Sequence, residues 1–547
     1  MSSEDFLFRS TDTVGAIEAE NDKQYLEECF LDTGFLDILE DADDHRSILI
    51  GRTGAGKSAL LSRLADESEN AISINPHELA LTHIANSNAV RFFSDLGVNL
   101  TPFFKFLWRH VFAIELIRLH SRLDGQGQPQ DLSSLIASIL PRDRKHDKAI
   151  SYLKEHGGSF WKETEERVKE ITRKLDERAS ESIGVNLVEN AKFDGNRTSH
   201  LSEEEKREFI YKGQEVINGA QVKDLSTIIK LLSDIFSRNK QKRYHIIIDR
   251  LDEDWVDTPL RVKLIRALIE NSRDFQEVPN VKIVIALRSD LVDRVYRLTR
   301  DEGFQEEKYR ACNLALIWSK ESMIKMLDRR ISALVRRRYT TKEVSCNDIL
   351  DPDLNCQKTL GTDESAIDYM IERTLDRPRD LISFFNDCIQ LSDGRPVIDF
   401  EVIIKAEPRY SKDRLKALFD EWRGTYPSLE TISGLLRKRP SLIEFKSISD
   451  TDVQDVLTKV YIAPESGISP LDRQIAQALF ETQIKEEEAR NRICYILYLT
   501  GLAGFRVSRA DNTIWAHQLP DFITETDVHE YEYLEVQSTF RRALFVQ

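Results

Sequence analysis

The chain has 547 residues, 41 % of them hydrophobic and 31 % charged, with a formal net charge of −16. That length and composition suit roughly two to four soluble domains rich in helix, since glycine and proline are sparse. The acidic total excludes a surface that tracks nucleic acid throughout, while leaving room for a local basic face.

Six cysteines (Cys29, Cys312, Cys346, Cys356, Cys388 and Cys494) are scattered, with no C-x-x-C pair and no histidine at zinc-ligand spacing. Free thiols in a reducing compartment are expected. The N-terminus lacks a basic and then apolar leader, and no stretch of about eighteen apolar residues occurs, so a cytoplasmic chain without a membrane anchor is expected.

Residues 1–45 form an acidic lead-in with a helix expected over Lys23–Glu40, set to pack beside the following strand. That strand, Ile48-Leu49-Ile50, runs into Gly51-Arg52-Thr53-Gly54-Ala55-Gly56-Lys57-Ser58-Ala59, a G-x-x-x-x-G-K-S loop opening a helix. The glycines let the backbone turn tightly and present successive N–H groups to phosphates, helped by the helix N-terminus. Lys57 would reach the β- and γ-phosphates, and Ser58 would ligate magnesium. A second strand is expected at Ala71–Asn75, ended by Pro76.

From 78 to 239 the pattern is helical. Phe93–Leu119 is apolar enough to belong to a core, whereas Asp147–Glu215 is dense in charge, with Val168, Ile171 and Leu175 at helical spacing, as in a solvated face or a projecting hairpin. Next, Tyr244–Ile248 reads as a strand buried on both faces of a parallel sheet. Asp249 at its end would hold magnesium through a water, as a Walker B aspartate, and Asp252 or Glu253 would place the attacking water. After a helix over Thr258–Arg273 comes the strand Val281–Leu287, whose tip carries Arg288 as a candidate γ-phosphate sensor; Arg294 and Arg297 are candidate arginine fingers.

A fifth strand is expected over Ala311–Trp318 and a helix over Glu321–Arg338, where Arg329, Arg330, Arg336, Arg337 and Arg338 make the most basic region of the chain. Arg377-Pro-Arg379-Asp380 opens another helix. Two arginines at a helix N-terminus oppose its dipole, and a bound polyphosphate would offset the cost, which marks Arg377 or Arg379 as a second phosphate sensor. From 397 onward come short helices, including Leu415–Trp422, Leu429–Leu436, Asp450–Val460, Leu471–Gln483 and Ala489–Thr500. A hairpin over Gly504–His517 follows, the outline of a winged helix in which Arg506 and Arg509 could reach DNA.

The motifs Gly51–Ser58, Ile248–Trp255 and Arg377-Pro-Arg-Asp380, in that order, resemble a bacterial P-loop ATPase related to the KAP and STAND groups of the AAA+-like superfamily. This chain has Asp249-Arg250 where KAP proteins usually carry paired aspartates, and it has no membrane helices in its insertion. The resemblance implies an α/β fold. Its parallel-sheet P-loop NTPase core spans 46–77 and 240–320, with a helical insertion over 78–239, a lid over 321–396 and a mainly helical, winged-helix-like domain over 397–547. It also implies a homo-oligomeric switch using ATP and Mg2+, which controls a separate effector protein in bacterial conflict such as antiphage defence. Two other readings compete: a nucleotide-dependent scaffold with little hydrolysis, and a DNA-binding ATPase of the loader type.

Overall fold

A computed structural model describes residues 6–76, 88–123, 242–253, 258–299, 306–337, 343–350, 365–463, 470–518 and 523–547, with 229–237 and a few helical positions between 173 and 212 in part. The charged arm expected over Asp147–Glu215 therefore lies outside the described residues, apart from those few positions. The chain divides into two compact units. One comprises Asp32–Arg52 and Lys57–Leu316; the other comprises Met1–Leu31, Thr53–Gly56 and Ile317–Gln547.

The helix expected over Lys23–Glu40 is two helices, Lys23–Cys29 (α1) and Phe35–Glu40 (α2), separated by Gly34 at φ 83°. Only glycine adopts that left-handed backbone without penalty. The break separates the lead-in: α1 belongs to the helical unit and α2 to the sheet unit.

In the sheet unit the elements follow as Ile48–Gly51 (β1), Lys57–Glu67 (α3), Ala71–Ile74 (β2), Asn88–Asp95 (α4), Thr101–Leu123 (α5), Tyr244–Ile248 (β3), Thr258–Asp274 (α6), Val281–Arg288 (β4), Ser289–Leu298 (α7) and Asn313–Ala315 (β5). Among the described residues the five strands form one parallel sheet in the order β2-β3-β4-β1-β5. Every residue of β3, and β4 from Val281 to Leu287, is buried, as expected of strands covered on both faces. Phe103, Phe104, Leu107, Trp108 and Phe112 of α5 pack into the same core, and Trp108 Nε1 donates to Leu264 O at 3.0 Å. Each such buried side chain contributes about 1.5–3 kcal/mol.

β5 is shorter than the Ala311–Trp318 run expected of it. Its pairing with β1 ends as Leu316 N donates to Ile50 O at 2.7 Å, and the next residue, Ile317, belongs to the helical unit. The C-terminal carbonyls of α2 have no partners within the helix, and the sheet supplies them. His245 sits 3.2 Å from Glu40 O, Arg243 donates to the same oxygen at 3.2 Å, and Lys282 donates to Asp41 O at 2.7 Å. Burial holds the His245 imidazole neutral, lowering its pKa to about 4, and lowers Lys282 to about 8.

In the helical unit, Lys320–Arg336 (α8) starts at Ser319, whose side chain accepts from Ser322 N. Several arginines of this basic region are used internally. Arg330 is buried against Asp22 at 2.6 Å, Arg337 pairs with Glu28 at 3.1 Å and lies over the Tyr25 ring, and Arg329 donates to Phe30 O. Arg336 pairs with exposed Glu343, and Arg338 lies outside the described residues. The acidic lead-in thus finds its partner in α8, while α1 packs against that helix.

Pro378–Leu391 (α9) is followed by Phe400–Trp422 (α10), a continuous 23-residue helix where a short one over Leu415–Trp422 was expected. Pro408 lies inside it. The proline forfeits one backbone hydrogen bond, and burial on both sides of it offsets the loss. Phe400–Tyr410 line one apolar core with α8 and α9, and Leu415–Trp422 line a second with everything downstream. The two apolar cores of this unit therefore meet along α10, between Tyr410 and Leu415.

The second core holds Leu442–Glu444 (β6), Asp450–Ile462 (α11), Leu471–Phe480 (α12), Glu486–Thr500 (α13), Ala503–Arg506 (β7), Tyr533–Val536 (β8) and Ser538–Arg541 (α14). The strands form an antiparallel sheet ordered β6-β8-β7. The hairpin expected over Gly504–His517 reduces to one bridge, Phe505 with Ile514. The returning segment crosses closely over Gly504, where a Cβ would stand 2.5 Å from Thr513 Cγ2, and β7 takes β8 as its ladder partner instead.

Candidate functional site

Parallel strands end together, so the C-terminal edge of the sheet collects the loops that follow them. Gly51, the last residue of β1, pairs in register with Arg288, the last residue of β4, and Ile248 of β3 pairs with Ile285. Asp249 follows directly on Ile248. Because β4 lies between β1 and β3, the tip bearing Arg288 stands beside both the glycine loop and the acidic strand end.

Gly54 and Gly56 take φ of 83° and 99°. Left-handed residues alternating with a right-handed one, here across Ala55, turn N–H groups to one side and make an anion-binding concavity. Lys57 folds back over the loop, its Nζ donating to Gly51 O at 2.8 Å and Arg52 O at 3.1 Å. Arg52, Ser58 and Ala59 are half-buried, the last two on the first turn of α3.

The loop tip, Thr53–Gly56, clusters with the helical unit. Arg379 N donates to Gly54 O at 3.4 Å, and a Cβ on Gly54 would meet Arg379 Cβ at 2.8 Å. Trp318 Nε1 donates to Ala55 O at 2.7 Å. Thr53 Oγ1 and Arg379 Nε are buried and have no hydrogen-bond partner. Two glycines at positive φ and two buried polar atoms without hydrogen-bond partners fit a bound polyphosphate, and the Arg379 side chain occupies the space where a Gly54 Cβ would stand.

On the acidic strand end, Asp249 Oδ1 accepts from Arg250 N at 2.8 Å, with Arg250 at φ 61°. That turn exposes Asp252 and Glu253. Asp252 faces Arg288, NH1 to Oδ2 at 3.6 Å, while Glu253 stands 3.8 Å from Arg250. Arg288 also grips Asp290 through Nε at 2.9 Å and NH2 at 2.8 Å. Arg288 therefore ties the two acids together, and Asp252 is the carboxylate it touches on the acidic turn. Ser58 and Asp249 offer hard oxygen donors suited to magnesium, which keeps several waters and takes few protein ligands.

Arg377 is engaged by a protein carboxylate. Its guanidinium is 8 % exposed and pairs with Glu421 of α10 at 3.2 Å. Burial works against its charge, and Glu421 and Asp380 outweigh it, raising the pKa. The electrostatic cost of an arginine at the start of α9 is thus offset by protein carboxylates, and Arg379 is the arginine left at the loop. Asp380 in turn pairs with Arg414 at 3.1 Å.

Arg506 is also committed within its own unit, with Nε donating to Thr513 Oγ1 at 2.6 Å and to Glu535 at 2.9 Å. Arg509 is exposed, as is Arg297 on α7, whereas Arg294 is half-buried. Trp318 was not singled out from the sequence, where it is one more apolar residue at the end of a strand-like run.

Residues 321–419 match the family described as the FunZ-associated C-terminal helical domain (FunZ_C). The match begins in α8 and ends near the end of α10, so it covers the first apolar core of the helical unit. Over 479 residues, 83 % of this chain, the sequence is 22 % identical to the protein named "Putative transposon gamma-delta 80.3 kDa protein" of Escherichia coli (strain K12). The chain spans 59 % of that relative's length.

Proposed function

We propose that this chain is a P-loop ATPase that binds Mg-ATP on the loop Gly51–Ala59 and hydrolyses its terminal phosphoanhydride. The observation that carries the reading is the shared sheet edge, where Gly51 and Arg288 pair in register and Asp249 ends the adjacent buried strand. Three separate stretches of sequence supply the groups that phosphoryl transfer needs in one place. Backbone N–H groups of the loop and Lys57 bind the phosphates, Ser58 and Asp249 hold magnesium, and Arg288 senses the terminal phosphate. Asp252, held by Arg288, orients the attacking water in preference to Glu253. When bound, magnesium would supply charge neutralisation on the phosphate oxygens.

The C-terminal unit supports a switch rather than a DNA-acting machine. Its sheet order and helix sequence suit a winged helix, yet Arg506 is engaged with Glu535, and the first turn of α13 carries Glu486, Glu487 and Glu488. We assign its output to a homo-oligomer acting on a separate effector protein. The transposon origin of the similar Escherichia coli protein agrees with a setting among mobile elements and their hosts.

Phosphate release from the purified protein tests the reading. Lys57→Ala is expected to lower it at least about 100-fold, the scale of removing one preorganised electrostatic group. Activity equal in wild type and Lys57→Ala would sink the proposal. Binding with no hydrolysis, unchanged by Asp252→Asn, would leave the scaffold reading in its place. Sizing with and without ATP reports the oligomer, and an assembly indifferent to nucleotide and to Asp249→Ala removes the switch.

A further inference from the structure

The loop contains a weakness that its own sequence does not correct. Ala55 lies between Gly54 and Gly56, and glycine accepts either sign of φ at little cost. The peptide joining Ala55 to Gly56 could therefore turn over and present its carbonyl oxygen, rather than its N–H, to an anion. In a trans peptide the C=O and the following N–H point in opposite directions. Holding the oxygen consequently aims the hydrogen.

Trp318 holds that oxygen. Its Nε1–H donates to Ala55 O at 2.7 Å, and its ring lies 3.9 Å from where a Gly56 Cβ would be. An indole nitrogen can only donate, so it stabilises the one orientation in which the carbonyl faces it. The preceding peptide is treated alike, since Arg379 N–H donates to Gly54 O at 3.4 Å and its side chain fills the space over Gly54.

We propose that Trp318 is a positioning residue for phosphate binding, which keeps the Gly56 N–H turned to the anion side of the loop by holding Ala55 O. The inference rests on the ATPase reading and adds to it a chain-specific device. A tryptophan just ahead of α8, the first helix of the FunZ-associated region, sets the readiness of the loop.

The experiment is a comparison of wild type, Trp318→Phe, Trp318→His and Lys57→Ala. Binding of a fluorescent ATP analogue, phosphate release, thermal melting and hydrogen exchange of the loop amides without nucleotide are measured for each. Trp318→Phe keeps a ring and loses the donor. It is expected to raise Kd and KM about five- to tenfold, the scale of one hydrogen bond, with kcat changed less than about twofold and faster exchange at Gly56. Trp318→His, which retains a ring N–H, is expected to recover part of the affinity.

Unchanged Kd and unchanged exchange in Trp318→Phe overturn the proposal. So does a loss of affinity matched by a fall in melting temperature that Trp318→His does not reverse, since that is a structural role. If Trp318→Phe does not fold, exchange at Gly56 in Trp318→His decides, and a rate equal to that of wild type alongside lowered affinity counts against the tether. Failure of the ATPase reading shows differently, as wild-type binding that Lys57→Ala leaves intact.

Discussion

The two compact units weight their interiors differently, although the sheet unit also buries Glu270 against Arg266 and Lys105. β3 and β4 fill the sheet unit with Ile246, Ile247, Ile248, Ile283, Val284 and Ile285, and the basic side chains buried beside them, His245 and Lys282, serve backbone carbonyls at the end of α2. The helical unit runs carboxylates and guanidiniums through its interior. Arg330 meets Asp22, Arg377 meets Glu421, Arg414 meets Asp380, and Glu407 takes Arg373, Arg542 and the Tyr369 hydroxyl at 2.8–3.0 Å. Burying ions against one another adds little net stability, yet removing one partner is expensive because the other is left unpaired. The sheet unit should therefore respond to lost volume, and the helical unit to lost partners.

Truncating a partner should have the largest effect. Arg377→Ala removes the guanidinium that faces buried Glu421, and is expected to cost about 3–5 kcal/mol by denaturant unfolding. The double change Arg377→Met with Glu421→Leu should recover most of it. A single-variant cost under about 1 kcal/mol would show that the pair is more solvated than its 7–8 % exposure suggests.

Ile285→Ala in β4 should cost about 3 kcal/mol, within the range for buried aliphatic truncation, and no second change elsewhere should restore it. Equal rescue of both variants by partner replacement would erase the distinction between the units.

Acid offers a third test, directed at the sheet unit. An unfolded histidine takes up a proton near pH 6.5, whereas folded His245 resists until about pH 4. The unfolded state therefore binds more protons across that window, and stability contributed by the neutral imidazole is lost as pH falls from about 6.5 to about 4, on the order of 2–3 kcal/mol. His245→Gln should flatten that part of the stability profile. A profile of His245→Gln superimposable on the wild type would remove His245 from the account.

The smallest stability effect is expected at the neighbour of Arg377. Arg379→Ala removes half-buried packing over Gly54 and should shift the melting temperature by about 2–4 °C, while weakening nucleotide binding. Two arginines two residues apart would then separate into a structural one and a functional one.

That separation marks the limit of what could be read without coordinates. The rule that two arginines at a helix start need a compensating negative charge was sound, but Glu421, 44 residues downstream, supplied the charge for Arg377. The basic run at Arg329, Arg330, Arg336 and Arg337 likewise had its answer in Asp22, Glu28 and the carbonyl of Phe30 some 300 residues earlier, and in Glu343 just beyond the helix. Charge complementarity at such separation leaves no periodicity in the chain. Trp318 had no signal at all, because one indole at a strand end looks the same whether it enters a core or holds a loop.

What the sequence alone determined was local: the buried strands Ile48–Ile50, Tyr244–Ile248 and Val281–Leu287, the glycine loop with its lysine, and the acid after the second of these strands. These follow from hydrophobic period and glycine spacing within a dozen residues, where backbone sterics and burial act directly. Which strand lies between which, whether Arg377 or Arg379 stays with the loop, and what grips Ala55 were decided only by the tertiary structure. Those outcomes depend on residues tens to hundreds apart meeting at one place, and only packing brings them there.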